Sequence, residues 1–143
     1  MGITLSWADD TKKVIIQKYE GSWTWEEFYN NSLVSTSMME SVSHTVHILA
    51  DFRESGPLPF GGALTHARNS MSNLAANWGL LIIVSDSKLI TMLVSVFKKM
   101  FGTSLGGKTF TASDFDEAYK IIREHEQGRA SLHGQNVEDA TNH

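Results

Sequence analysis

The chain has 143 residues, with 12 Lys plus Arg against 16 Asp plus Glu and a formal net charge of −4. With no clustered basic run, that balance gives no electrostatic reason to gather phosphates or anionic headgroups, and nucleic acid is not expected as a partner. No cysteine is present, which excludes disulfides, thiolate catalysis and Cys-ligated metal centres and suits a reducing, cytoplasmic setting.

One domain with one core is expected at this length. No apolar run approaches a membrane span, and the first ten residues lack the basic-then-apolar pattern of a signal peptide. Ile3, Leu5 and Trp7 alternate with polar residues, Asp9-Asp10-Thr11 breaks the run, and Val14, Ile15 and Ile16 resume it, which predicts a β-hairpin. Thr24 with Glu27 forms a capping box for a helix reaching about Met39, with Trp25, Phe28, Tyr29, Ser32 and Val34 at mostly helical spacing.

Residues 45–51 are too short for a helix and read as a central strand, with Val46, Ile48 and Ala50 on one face and His47 and Leu49 on the other. After the Gly56-Pro57-Leu58-Pro59 break, Leu64, Ala67, Met71 and Leu74 recur at helical intervals, and Gly79 is read as the stop of that helix. Leu80–Val84 is the continuous apolar run of a strand covered on both faces. Ser85 or Asp86 then caps a helix over Lys88–Phe101 that ends near Gly102. Lys108–Thr111 reads as a last short strand. Ser113 or Asp114 opens a final helix with Phe115, Ala118, Tyr119 and Ile122 on one stripe. The domain is placed at 1–127, and 128–143, polar and poor in large apolar residues, reads as a flexible tail.

The fold class is therefore α/β: an opening hairpin, then helix-linked strands, in a five-stranded mixed, mostly parallel sheet with four helices. This order, together with Gly21-Ser22-Trp23-Thr24-Trp25 before the first helix and the Val46–Asp51 strand, resembles the STAS fold of anti-sigma-factor antagonists and sulfate-transporter cytoplasmic tails. The likeness spans residues 3–125, and these features look like those of the stand-alone bacterial STAS-like proteins. It implies a regulatory, protein-binding module. In the antagonists a phosphorylatable serine opens the second helix, downstream of an Asp that ends the preceding strand. Asp51 matches that Asp, but Pro59-Phe60-Gly61-Gly62 stands at the acceptor position, so the usual phosphoacceptor serine is absent.

Catalytic arrangements compare poorly with their structural alternatives. Asp9, Asp10, Asp51, Ser85 and Lys108 mimic the residues of receiver-type aspartyl-phosphate domains, yet Asp9-Asp10 leads into a second strand rather than a helix and reads as a hairpin turn. His44, His47 and Asp51 are metal-ligand types, but His47 and Asp51 stand about 13 Å apart along a strand, so His47 reads as a half-buried, hydrogen-bonded residue. No enzyme activity, metal or cofactor is expected.

Function is expected in binding. The loop after the central strand supplies Asp51, Arg53, Ser55, Phe60 and Gly61 as candidates for a ligand or partner. On the Lys88–Phe101 helix, Leu89, Leu93, Val96, Phe97 and Met100 read as the sheet-facing stripe. Ile90, Val94 and Phe101 widen the apolar arc to roughly twice what one sheet face requires, so Ile90, Val94, Phe97 and Phe101 are candidates for contact with a protein partner or a second copy. The alternative is a carrier or sensor of a small apolar, lipid-like ligand, with Phe60, Met71, Phe97 and Phe101 as lining and Trp23, Trp25, Phe28, Tyr29 and Trp78 as further aromatics.

Overall fold

The computed structural model describes residues 2–59, 61–102 and 105–141, with side chains through residue 128. Strands β1 (Gly2–Trp7), β2 (Val14–Gly21), β3 (Val46–Ser55), β4 (Trp78–Val84) and β5 (Thr109–Ala112) form one sheet in the order β1-β2-β3-β4-β5. The helices are α1 (Trp25–Glu40), α2 (Ala63–Ser72), α3 (Lys88–Phe101) and α4 (Phe115–Thr141). β1 runs antiparallel to β2 and every other neighbouring pair is parallel, which is the α/β arrangement that the alternation and helical spacings predict.

Local signals set most of the boundaries. In the β1–β2 turn the Asp9 carboxylate accepts the Thr11 backbone N–H at 2.9 Å. Thr24 caps α1 by accepting the Glu27 N–H at 3.1 Å, and Asp114 caps α4 by accepting the Glu117 N–H at 2.8 Å. Ser87, not Ser85 or Asp86, caps α3. Ser85 Oγ instead accepts the Ser87 N–H at 3.1 Å and shapes the approach to the helix.

Three crossovers step the same way across the sheet, and right-handedness therefore places α1, α2 and α3 on a single face. α4 takes the other. Along β3, Ile48 and Ala50 face the three-helix layer, whereas Leu49 faces α4. The α4 side is closely packed: Leu49, Leu80, Ile82 and Val84 are fully buried against Ala118 and Ile122. Each fully buried aliphatic side chain of this kind contributes roughly 1.5–3 kcal/mol.

Four boundaries differ from the sequence reading. β3 does not stop at Asp51 but runs to Ser55, because β2 continues beside it to the Gly21–Ser55 pair. α2 ends at Ser72, and Gly79 lies inside β4. The chain turns before it because Asn77 Nδ2 donates to the carbonyls of Met39 (2.8 Å) and His44 (2.9 Å), tying this turn to the end of α1. β5 begins at Thr109, with Lys108 in the preceding 3-10 turn. The backbone of α4 stays helical past Gly128 to Thr141, since polar composition alone does not end a helix built from residues such as Arg129, Ala130 and Leu132.

Candidate functional site: an apolar pocket under the three-helix layer

Leu81 and Ile83 sit on the interior strand β4 beneath the helices, yet both remain partly exposed, while Leu80, Ile82 and Val84 on the opposite face are buried. A strand inside a parallel sheet is ordinarily covered on both faces. α2 packs against α1 and α3, and it presents the small side chains of Ala63 and Ala67 where larger ones would fill the space. The result is a pocket of about 130 Å³ between the sheet and α1–α3.

Its floor is Ile48, Ala50, Leu81 and Ile83. One end is aromatic. Tyr19 stacks on Phe52 with ring centroids 4.1 Å apart and an interplanar angle of 12°. Trp23 meets Trp25 edge-on at 5.2 Å, and Phe28 meets Trp25 edge-on at 5.3 Å. Such offset and edge-to-face contacts hold ring positions beyond what area burial alone does. The Trp23 indole N–H donates to Ser55 Oγ at 2.9 Å, and Ser55 donates in turn to the Gly56 carbonyl at 2.8 Å. The other end is lined by Met71, Leu93 and Phe97.

A polar seam crosses this apolar surface. The Tyr19 hydroxyl donates to Gln17 Oε1 at 3.3 Å, and Gln17 Nε2 donates to Ser35 Oγ at 3.1 Å. One turn earlier on α1, the Ser32 hydroxyl pairs with that of Ser70 on α2. Burial pushes the Tyr19 phenol well above its ordinary pKa, so it stays a neutral donor. Among the described residues none that lines the pocket is charged.

The structure divides the residues singled out from sequence. Met71 and Phe97 line the pocket together with Trp23, Trp25 and Phe28; Tyr29 and Trp78 do not. Phe101 packs against Phe97 at 4.8 Å but is not part of the lining. Phe60 lies outside the described residues. Asp51 and Arg53 lie on the α4 face, away from the pocket, and on β3 itself rather than in a loop. Arg53 Nε and Nη2 donate to the two Asp51 oxygens at 2.9 and 3.1 Å, and the Arg53 backbone N–H adds a third bond at 3.1 Å. The guanidinium also lies over the Phe115 ring, 4.8 Å from its centroid. Burial raises the Asp51 pKa, but the Arg53 hydrogen bonds and charge, with Lys18 adding to them, outweigh it and hold the carboxyl below the usual carboxylate range. This closed pair anchors α4. Ser55 holds Trp23, and Gly61 takes a left-handed φ of 84° just before α2.

α3 is rotated relative to the sequence reading. Ile90, Val94 and Phe97 turn inward and line the pocket, and Phe101 joins the same core. Leu89, Met92, Val96 and Met100 face outward and are exposed. With apolar residues on nearly every side of this helix, hydropathy could not fix its rotation. The two phenylalanines do so by filling the space beside Met71 and Trp78.

The receiver-like residues do not converge. Asp51 pairs with Val84, whereas Lys108 Nζ donates to the Trp78 carbonyl at 3.0 Å, six positions and about 20 Å down the same strand. His44 Nε2 contacts the Lys12 carbonyl at 2.8 Å. His47 is fully rather than half buried. Among the described residues no three His, Asp or Glu side chains converge to hold a metal ion, and no helix is long and apolar enough to cross a membrane.

Sequence reasoning did not find the polar seam. Its signal was present: Ile15, Gln17 and Tyr19 alternate on one face of β2, and an amide in an apolar alternation marks a buried polar group that needs partners. No family model, no curated protein and no solved structure matches the chain.

Proposed function

We propose that this protein is a non-catalytic module that binds a small apolar molecule between its sheet and the α1–α3 layer, as a cytoplasmic carrier or sensor. The observation that carries this reading is the incomplete burial of Leu81 and Ile83 on β4, an interior strand with a neighbour on each side. A ligand of matching shape covers these side chains and the rest of the apolar wall, and removing apolar surface from water is the favourable term for its binding. The shape of the STAS-like order fits a regulatory module of this kind, with ligand occupancy in place of phosphorylation.

The test is thermal unfolding with 1-octanol or toluene, alongside native mass spectrometry of protein purified from cells. Wild type gains stability with probe, and Ala67→Leu, which fills the pocket, does not. No shift with any apolar probe, together with no added mass, overturns the reading.

A second reading, an interaction module, is favoured by the exposed row Leu89, Met92, Val96 and Met100 on α3. These positions fall on one stripe about 16 Å long, and pairing with the same stripe of a second copy covers it symmetrically. Sedimentation at rising concentration tests this: wild type associates weakly and Met92→Glu does not. A concentration-independent monomer mass for both removes it.

A further inference from the structure

The chemistry of the pocket wall narrows what it accepts. We infer that the ligand is an uncharged, single-ring aromatic molecule carrying one oxygen acceptor, and that Gln17 reads that oxygen. This rests on the apolar-ligand reading above and specifies its ligand class.

Size comes first. An apolar cavity of about 150 Å³ holds benzene, so a pocket of about 130 Å³ takes one ring and little more. The pocket opens to solvent, so a long acyl chain would leave most of its length outside it. Shape comes second: Trp23, Trp25 and Phe28 meet edge-on, and Phe52 lies flat against Tyr19. Rigid aromatic walls present faces and edges to a planar guest and hold their geometry at low entropic cost.

Charge comes third. Among the described residues the lining carries no Lys, Arg, His, Asp or Glu, and an ionised group placed there would lose its hydration without a partner. Hydrogen bonding decides the last feature. An amide nitrogen carries two hydrogens, and Gln17 gives one to Ser35 Oγ. Its Oε1 already accepts from Tyr19. In the Ser32–Ser70 pair one hydroxyl donates to the other, and both residues line the pocket. Gln17, which lines the pocket, thus has one further donor in an apolar setting, and a carbonyl, phenol or ether oxygen is the complement to it. A pocket that hydrogen-bonds its guest discriminates against an isostere lacking the oxygen, because the donor is otherwise left desolvated and unpaired.

The experiment is calorimetric titration of the full chain with four probes: acetophenone, its deoxygenated analogue ethylbenzene, the charged analogue benzoate, and 1-octanol. Acetophenone is expected to bind wild type about 3- to 10-fold more tightly than ethylbenzene, the size of one buried neutral hydrogen bond, with benzoate weaker than both. In Gln17→Leu the advantage of acetophenone over ethylbenzene disappears. Should Gln17→Leu not fold, Gln17→Met, closer in length, takes its place in the comparison, and the wild-type probe series decides the ligand class. Equal affinity for acetophenone and ethylbenzene overturns this inference and leaves the apolar pocket standing. So does tighter binding of benzoate or 1-octanol than of acetophenone. Binding of none of the four overturns both.

Discussion

His47 Nδ1 accepts the backbone N–H of Leu80 at 2.9 Å, across a point where the β3–β4 register slips. Val46 pairs with Trp78 but Ile48 pairs with Leu81, so β4 carries one residue more than β3 between these pairs, and its extra N–H needs an acceptor. His47 supplies it. That bond places the ring proton on Nε2, which donates to Glu126 on α4 at 3.1 Å. One buried imidazole thus closes a sheet irregularity and fastens the helix on the other side.

The bulge explains Gly79. A Cβ at that position would lie 2.5 Å from the His47 ring and 2.8 Å from the Thr45 methyl. Gly79→Ala is expected to cost about 1–3 kcal/mol, as overpacking against a held ring does, measured by urea unfolding. A neutral effect would show that the ring moves freely and that its two hydrogen bonds hold little.

Asp51 and Arg53 form the second link between sheet and α4. Asp51→Asn is expected to destabilise by about 1 kcal/mol at pH 7, the contribution of a charge-assisted bond discounted for the solvent screening of a half-exposed arginine. The native carboxyl titrates below its unfolded value of 3.8, so its stabilisation is complete above that pH and is lost as pH falls through the native pKa. The gap between wild type and Asp51→Asn therefore closes on acidification below about pH 3.8. A gap that stays constant to pH 2 in urea titrations would contradict the assignment.

The rotation of α3 separates two substitutions. Phe97→Ala should cost about 3–5 kcal/mol, whereas Met92→Lys should change stability by less than about 0.5 kcal/mol. Comparable losses from both, read from chemical denaturation midpoints, would mean that the outer stripe is covered in solution.

Ala67 marks where α2 leaves space. Ala67→Leu is expected to stabilise the free protein by about 0.5–2 kcal/mol, as cavity filling commonly does, and to remove the stabilisation that apolar probes give wild type. A destabilised variant that still responds to toluene would place the free volume elsewhere.

Much of the site's surroundings was legible in local pattern. The hairpin followed from alternation broken at Asp9, α1 from Thr24 and Glu27, and α3 from a long apolar run ended by Gly102. Asp51 shows the limit. It stands where a polar residue follows an apolar run and so read as a strand end, but strand ends are set by the neighbouring strand, and β2 carries β3 on to Ser55.

By itself the sequence determined the element order and the two-faced strands, because alternation and 3.6-residue spacing are properties of one segment at a time. Tertiary structure alone decided three things: which side of α3 turns inward, that Gln17 meets Ser35, and that Leu81 and Ile83 keep an open space above them. Each depends on how closely separate elements approach one another, and the distance between two packed layers is set by the side chains of both.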